Sequence, residues 1–172
     1  MYFSYFGNAD LKRRKIDAVL LPQSFDLRPP SAYGLGPGTY VISATMLQGV
    51  YGEVNGPWRP SLERAYVELT AEMQRFQAAN TDRPALDRFI AQEGAEIWKQ
   101  RIRAYDWLRF ARLCAWLRPR EPHDRVTPGL LVFELTATDL TAALTGPPAE
   151  LRDDEAIKGT RDLASERLDF RK

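Results

Sequence analysis

Hydrophobic and polar positions along the chain switch repeatedly between two periods. Tyr2-Phe3-Ser4-Tyr5-Phe6 is an aromatic run that ends at Gly7-Asn8, which predicts a strand entering a turn. Ala9 to Lys15 reads as a short helix with Lys12, Arg13, Arg14 and Lys15 on its outer side, and Ile16 to Leu21 as a second strand stopped by Pro22. The segment from Pro29 to Gly38 holds three prolines and three glycines and predicts a loop. Thr39-Tyr40-Val41-Ile42-Ser43 is β-branched and aromatic, a third strand, followed by a short helical turn from Ala44.

Period 3.6 then takes over. Pro60 suits the first turn of a helix, and Leu62, Tyr66, Leu69, Met73 and Phe76 make one apolar stripe through about Gln77. Thr81-Asp82 is positioned to cap the next helix, with Pro84 in its first turn. Leu86, Phe89, Ile90, Ile97, Ile102, Tyr105, Leu108, Arg112 and Leu113 continue the helical spacing, with Gly94 as a break and Pro119 as the stop. Val126 to Leu135 predicts one further strand, its start interrupted by Pro128-Gly129. A last helix runs from Leu140 to Leu144, with Thr138-Asp139 as its cap. This order predicts a layered α/β domain over 1–148, with a mostly parallel sheet of about four strands and flanking helices. From 149 to 172, 13 of 24 residues are charged, which predicts a partly disordered tail.

Composition narrows the chemistry. At 172 residues, 44% hydrophobic and 27% charged, the chain is long enough for one packed core. A net charge of +1 gives no general attraction to nucleic acid. No apolar run reaches the roughly 20 residues of a membrane span, and no secretory leader opens the chain, so the literal expectation is a cytoplasmic protein. The abrupt start on an apparent core strand, in turn, suggests missing upstream sequence.

Cys114 is the lone cysteine and lies in an apolar context, Leu113-Cys114-Ala115-Trp116, as a small buried hydrophobe does. His123 is the lone histidine, in a polar loop, so a two-histidine metal site is impossible. Gly34-Leu35-Gly36-Pro37-Gly38 imitates a phosphate loop, but Pro37 removes a donor and a strand follows where a helix is needed. The four tryptophans read as packing residues, with Trp58 also considered as an exposed platform. No catalytic residue, metal site or cofactor emerges. Two polar spots follow strands: Gly7, Asn8 and Asp10 after the first, and Ser43, Thr45 and Gln48 after the third. Turn and cap chemistry is the plainer reading of these groups; because ligands gather outside the carboxyl ends of parallel strands, the six are also ligand-binding candidates.

The same spots carry a likeness. Ser4-Tyr5-Phe6-Gly7-Asn8-Ala9-Asp10, then Ile42-Ser43-Ala44-Thr45-Met46-Leu47-Gln48-Gly49-Val50-Tyr51, then Trp116-Leu117-Arg118, Glu121-Pro122 and Leu131-Val132-Phe133-Glu134-Leu135 resemble the C-terminal soluble region of certain bacterial membrane proteins. These are glycosyltransferase-like proteins related to the protein mannosyltransferase family, which use lipid-phosphate-linked sugars. The likeness spans about residues 2 to 135. It departs at Leu11, where the family pattern has Pro, and at Thr127-Pro128-Gly129-Leu130, where it has a Gly-Tyr-Ser-Ile-like entry. A preceding Asp-Trp-Gly-Gln-like segment and the membrane helices are not in this chain, and the family's catalytic carboxylate lies in that membrane part.

The resemblance therefore implies a non-catalytic extracytoplasmic accessory domain, or an orphan fragment of one. Its partners would be the membrane portion of the transferase, or the lipid-linked sugar and its acceptor. The alternative that the residues allow is a cytoplasmic small-ligand-binding α/β protein or small enzyme built on the strand-end polar groups.

Overall fold

The computed structural model describes residues 1–5, 15–22, 34–50, 52–127 and 129–152. Among these residues five strands form one sheet: β1 (Tyr2–Ser4), β2 (Val19–Leu20), β3 (Gly38–Ser43), β4 (Asp124–Thr127) and β5 (Leu130–Leu135). Their order is β2-β1-β3-β5-β4. β1 pairs in parallel with both β2 and β3, while β5 pairs antiparallel with both β3 and β4.

The expected four-stranded, mostly parallel sheet is thus corrected to a five-stranded mixed one. The reason lies between Thr127 and Leu130. The stretch from Val126 to Leu135 is not one interrupted strand but two short ones joined as a hairpin, and only an antiparallel pair is closed by so short a link. The second strand is also shorter than the apolar run Ile16 to Leu21 predicts. The helix expected from Ala9 and the charged tail beyond 152 lie outside the described residues.

Alternation assigns the faces. Register aligns Tyr2 with Tyr40 and Phe133, and Ile42 with Leu131. These side chains join Leu135 against the helices in a continuous core. Phe3, Val41 and Val132 point the other way. Among the described residues there are five helices: α1 (Ala44–Leu47), α2 (Pro60–Ala79), α3 (Arg83–Glu93) and α4 (Ala95–Leu117) lie between β3 and β4, and α5 (Ala137–Thr145) follows β5. α2 buries Leu62, Tyr66, Leu69 and Met73, the stripe its spacing predicts.

α4 is the central element. From Ala104 to Leu117 all but Tyr105, Arg109 and Ala111 are buried, as a helix surrounded on every side requires. Gly94, with φ 96° and ψ 142°, breaks α3 from α4 where the glycine predicts. The last helix is capped by Thr136, not by Thr138. The Thr136 hydroxyl accepts the Asp139 N–H at 3.2 Å, and the Asp139 carboxylate accepts the Thr136 N–H at 2.9 Å. This reciprocal box needs the acidic residue three positions after the cap, which places Asp139 inside the helix.

Candidate functional site

The parallel pairing of β1 and β3 brings their carboxyl ends to one edge, with Ser4 opposite Ile42. Ser43 follows directly. Its hydroxyl accepts the Met46 N–H at 3.3 Å, so it caps α1 and is buried. Thr45 is half-buried and Gln48 exposed on the next turn. Gly7, Asn8 and Asp10 lie outside the described residues. Of the six predicted ligand residues, then, Ser43 is committed to capping, while Thr45 and Gln48 share the surface at this edge. Ser4, just before the first polar spot, is fully buried and donates to the Pro22 carbonyl at 2.7 Å.

What holds this edge is Arg118. Its Nε donates to the Leu47 carbonyl at 2.8 Å and its Nη2 to the Gly56 carbonyl at 3.3 Å. Nη1 bonds the Glu150 carboxylate, and the Arg152 N–H reaches the Trp58 carbonyl at 2.9 Å. The loop it grips closes on itself: the Gly49 N–H donates to the Met46 carbonyl, and the Gly56 N–H to the Gly49 carbonyl, at 3.1 and 3.0 Å. Gly49 sits at φ 66°, and an added Cβ there would lie 3.1 Å from the Gly56 carbonyl oxygen and 3.4 Å from the Arg118 guanidinium. Only glycine meets both demands. On the other side, the Ala44 N–H donates to the Gly129 carbonyl at 2.9 Å, tying α1 to the β4–β5 turn.

A second knot lies deeper. Arg112, 3% exposed, donates Nε and Nη2 to the two Glu63 oxygens at 3.0 and 2.9 Å, and Nη2 also reaches the Gly146 carbonyl at 2.7 Å. Its Nη1 bonds the Ala143 carbonyl, and its guanidinium lies 5.2 Å from the Tyr66 ring centroid. Trp58 Nε1 donates to Glu63 at 2.6 Å. Trp58 is therefore buried, 1% exposed, and the exposed platform considered for it is overturned. Burial pushes the Glu63 carboxyl up, but the Arg112 and Trp58 hydrogen bonds more than reverse this and hold it below the ordinary range. All these groups are spent on joining α2, α4 and α5.

Asp106 is more deeply buried than the half-buried Glu63. Burial raises it to about 7 despite the Arg109 guanidinium 2.8 Å away. Nearby, the Tyr40 hydroxyl donates to the Gly36 carbonyl at 2.8 Å, and the Gly36 N–H donates to the Tyr2 hydroxyl at 2.8 Å. The amide that a phosphate loop would aim at its ligand is thus already used. Cys114 is fully enclosed, and burial pushes its thiol up to about 12, the state of an inert core thiol.

One open groove of about 270 Å³ lies between the C-terminal end of α4, β5 and the start of α5. Its polar groups are Arg120, Glu121, His123, Glu134 and Asp139. Several are already engaged. Arg120 lies over the Trp116 ring, Glu134 accepts from the Thr39 hydroxyl at 2.8 Å, and Asp139 belongs to the α5 cap. Sequence reasoning meets Arg118 only inside the Trp116-Leu117-Arg118 likeness and Arg112 only on the helical stripe, gives neither its role, and misses Asp106 altogether. For Arg112 a signal exists, since a charged residue on an apolar stripe needs a buried partner.

Among the described residues no group of histidine, cysteine and carboxylate side chains is arranged to hold a metal, and no helix is long and apolar enough to cross a membrane. No protein-family model, no curated protein and no solved structure matches the chain.

Proposed function

We propose that the chain is a non-catalytic accessory domain of a lipid-linked-sugar-dependent membrane glycosyltransferase, working on its extracytoplasmic face. The observation that supports this most is how the segments carrying the resemblance come together. Arg118, from Trp116-Leu117-Arg118, hydrogen-bonds Leu47, from the segment 42–51, across 71 positions. Ser4 pairs with Ile42, and Leu131 pairs with Ile42 from the opposite side. Segments distant in sequence thus build one edge, with Thr45 and Gln48 on its surface. The engaged state of the buried charges favours a binding or positioning role over chemistry, since a nucleophile or general base must be free to reach a substrate.

Vesicles carrying a polyprenyl-phosphate-linked hexose test the reading. The purified chain is expected to co-sediment with them, and less with phosphatidylcholine vesicles alone, and to transfer no sugar by itself. Transfer by the chain alone, or indifference to the lipid-linked sugar, would overturn the proposal.

The neighbouring parallel strand ends also favour a second reading, a small-molecule binder using the same edge. A rise in melting temperature with free sugars, nucleotides or phosphates, without any lipid, would select it.

A further inference from the structure

α3 is held unlike the other long helices. None of its residues is buried, whereas α2 and α4 each bury many. It rests on them through half-buried Leu86, Phe89 and Ile90. The Phe89 ring lies 6.3 Å from Phe76 of α2 and 4.9 Å from Trp98 of α4. Trp98 beneath it is 4% exposed, and its indole N–H is buried without a hydrogen-bond partner. A buried unpaired donor is destabilising, and the cost is relieved whenever the covering element lifts and water reaches the group.

Both ends of α3 are simple junctions. Asp82 precedes it in extended conformation and makes no side-chain cap bond. Gly94 ends it and at once begins α4, at φ 96° with open space where a Cβ would stand. Backbone freedom, not packing, is what glycine supplies there.

Arg101 ties the three helices together. Arg101 of α4 has its guanidinium 5.0 Å from the Trp98 ring centroid and pairs with Glu93 in the last turn of α3. Its Nε also lies 3.2 Å from Glu72 Oε2 of α2, an oxygen that is buried and accepts no well-aligned hydrogen bond.

We propose that α3 is a hinged lid, latched by the Arg101–Glu93 ion pair, that opens as a unit about the 80–82 turn and Gly94 and uncovers Phe76 and Trp98. α2 and α4 stay in place, because α4 is anchored from Ala104 onward by the main core.

Native-state hydrogen exchange on the full ¹⁵N-labelled chain tests this, read at the α3 amides from Leu86 to Glu93 and at the Trp98 indole N–H. The lid predicts one shared opening constant for these groups, at least about tenfold larger than that of the Leu108 and Leu113 amides. Glu93→Gln should raise it about fivefold, the scale of one partly exposed ion pair, and leave Leu108 and Leu113 unchanged. High salt should act in the same direction. Protection graded from the helix ends would mean fraying, and would overturn the proposal. So would a Trp98 indole that exchanges only as slowly as Leu108, or indifference to both Glu93→Gln and salt.

Discussion

At the scale of single residues, Asp106 and Arg112 show the same problem solved in two ways. Asp106 has one hydrogen-bonding partner, Arg109, which does not offset the desolvation of its carboxylate. Its proton is therefore held more tightly in the folded chain than in the unfolded one. Stability from this group is full below its unfolded value near 4 and is lost as pH rises through about 7. Urea denaturation should show the chain losing roughly 2 kcal/mol between pH 5 and 7.5 from this residue, because each tenfold difference in proton affinity is worth about 1.4 kcal/mol. Asp106→Asn should flatten that slope. Arg112, in contrast, has every bond it needs. Arg112→Met would strand Glu63 beside Trp58 and remove two carbonyl partners, at a cost of about 3–5 kcal/mol in the same measurement.

At the scale of elements, capping and turn chemistry decide what periodicity leaves open. Thr136→Ala removes one half of the α5 box and should cost about 1 kcal/mol, read as a lower denaturation midpoint with unchanged slope. The α2 stripe and the β3 run are legible in the sequence because both are long and strongly periodic, at 3.6 and 2 respectively. The hairpin is not. Its two strands are short and merge into one apolar-looking stretch, and Pro128-Gly129 reads as easily as a flaw in one strand as a link between two. The α5 cap is hard to place for a similar reason: Thr136 and Thr138 both precede an apolar run, and only the spacing to Asp139 separates them. Gly94 is legible as a break, but nothing local says that α3 rests on α4 without a buried residue.

At the scale of the molecule, long-range contacts that leave no local signature set the architecture. The grip of Arg118 on Leu47 and Gly56 joins segments about 60 to 70 residues apart, and no window of sequence contains it. That contact ties Leu47 and Gly56 to the end of α4. Arg118→Ala should lower the melting temperature and speed amide exchange at Gly49 and Gly56 before it affects the α2 amides. The candidate site is legible in outline, since strand ends are where ligands gather. The division of labour within it is not, because only the fold reveals that Ser43 is consumed as a cap while Thr45 and Gln48 remain at the surface.

Chemical-shift mapping with the full ¹⁵N-labelled chain and a water-soluble short-chain prenyl-phosphate-linked hexose reads the proposed binding edge residue by residue. Saturable shifts are expected at Thr45, Gln48 and Val50, and at Asn8 and Asp10 in the segment that follows β1 in sequence, with His123 and Glu134 unmoved. Shifts confined to the groove around Arg120 and His123, or none at all, would contradict that proposal.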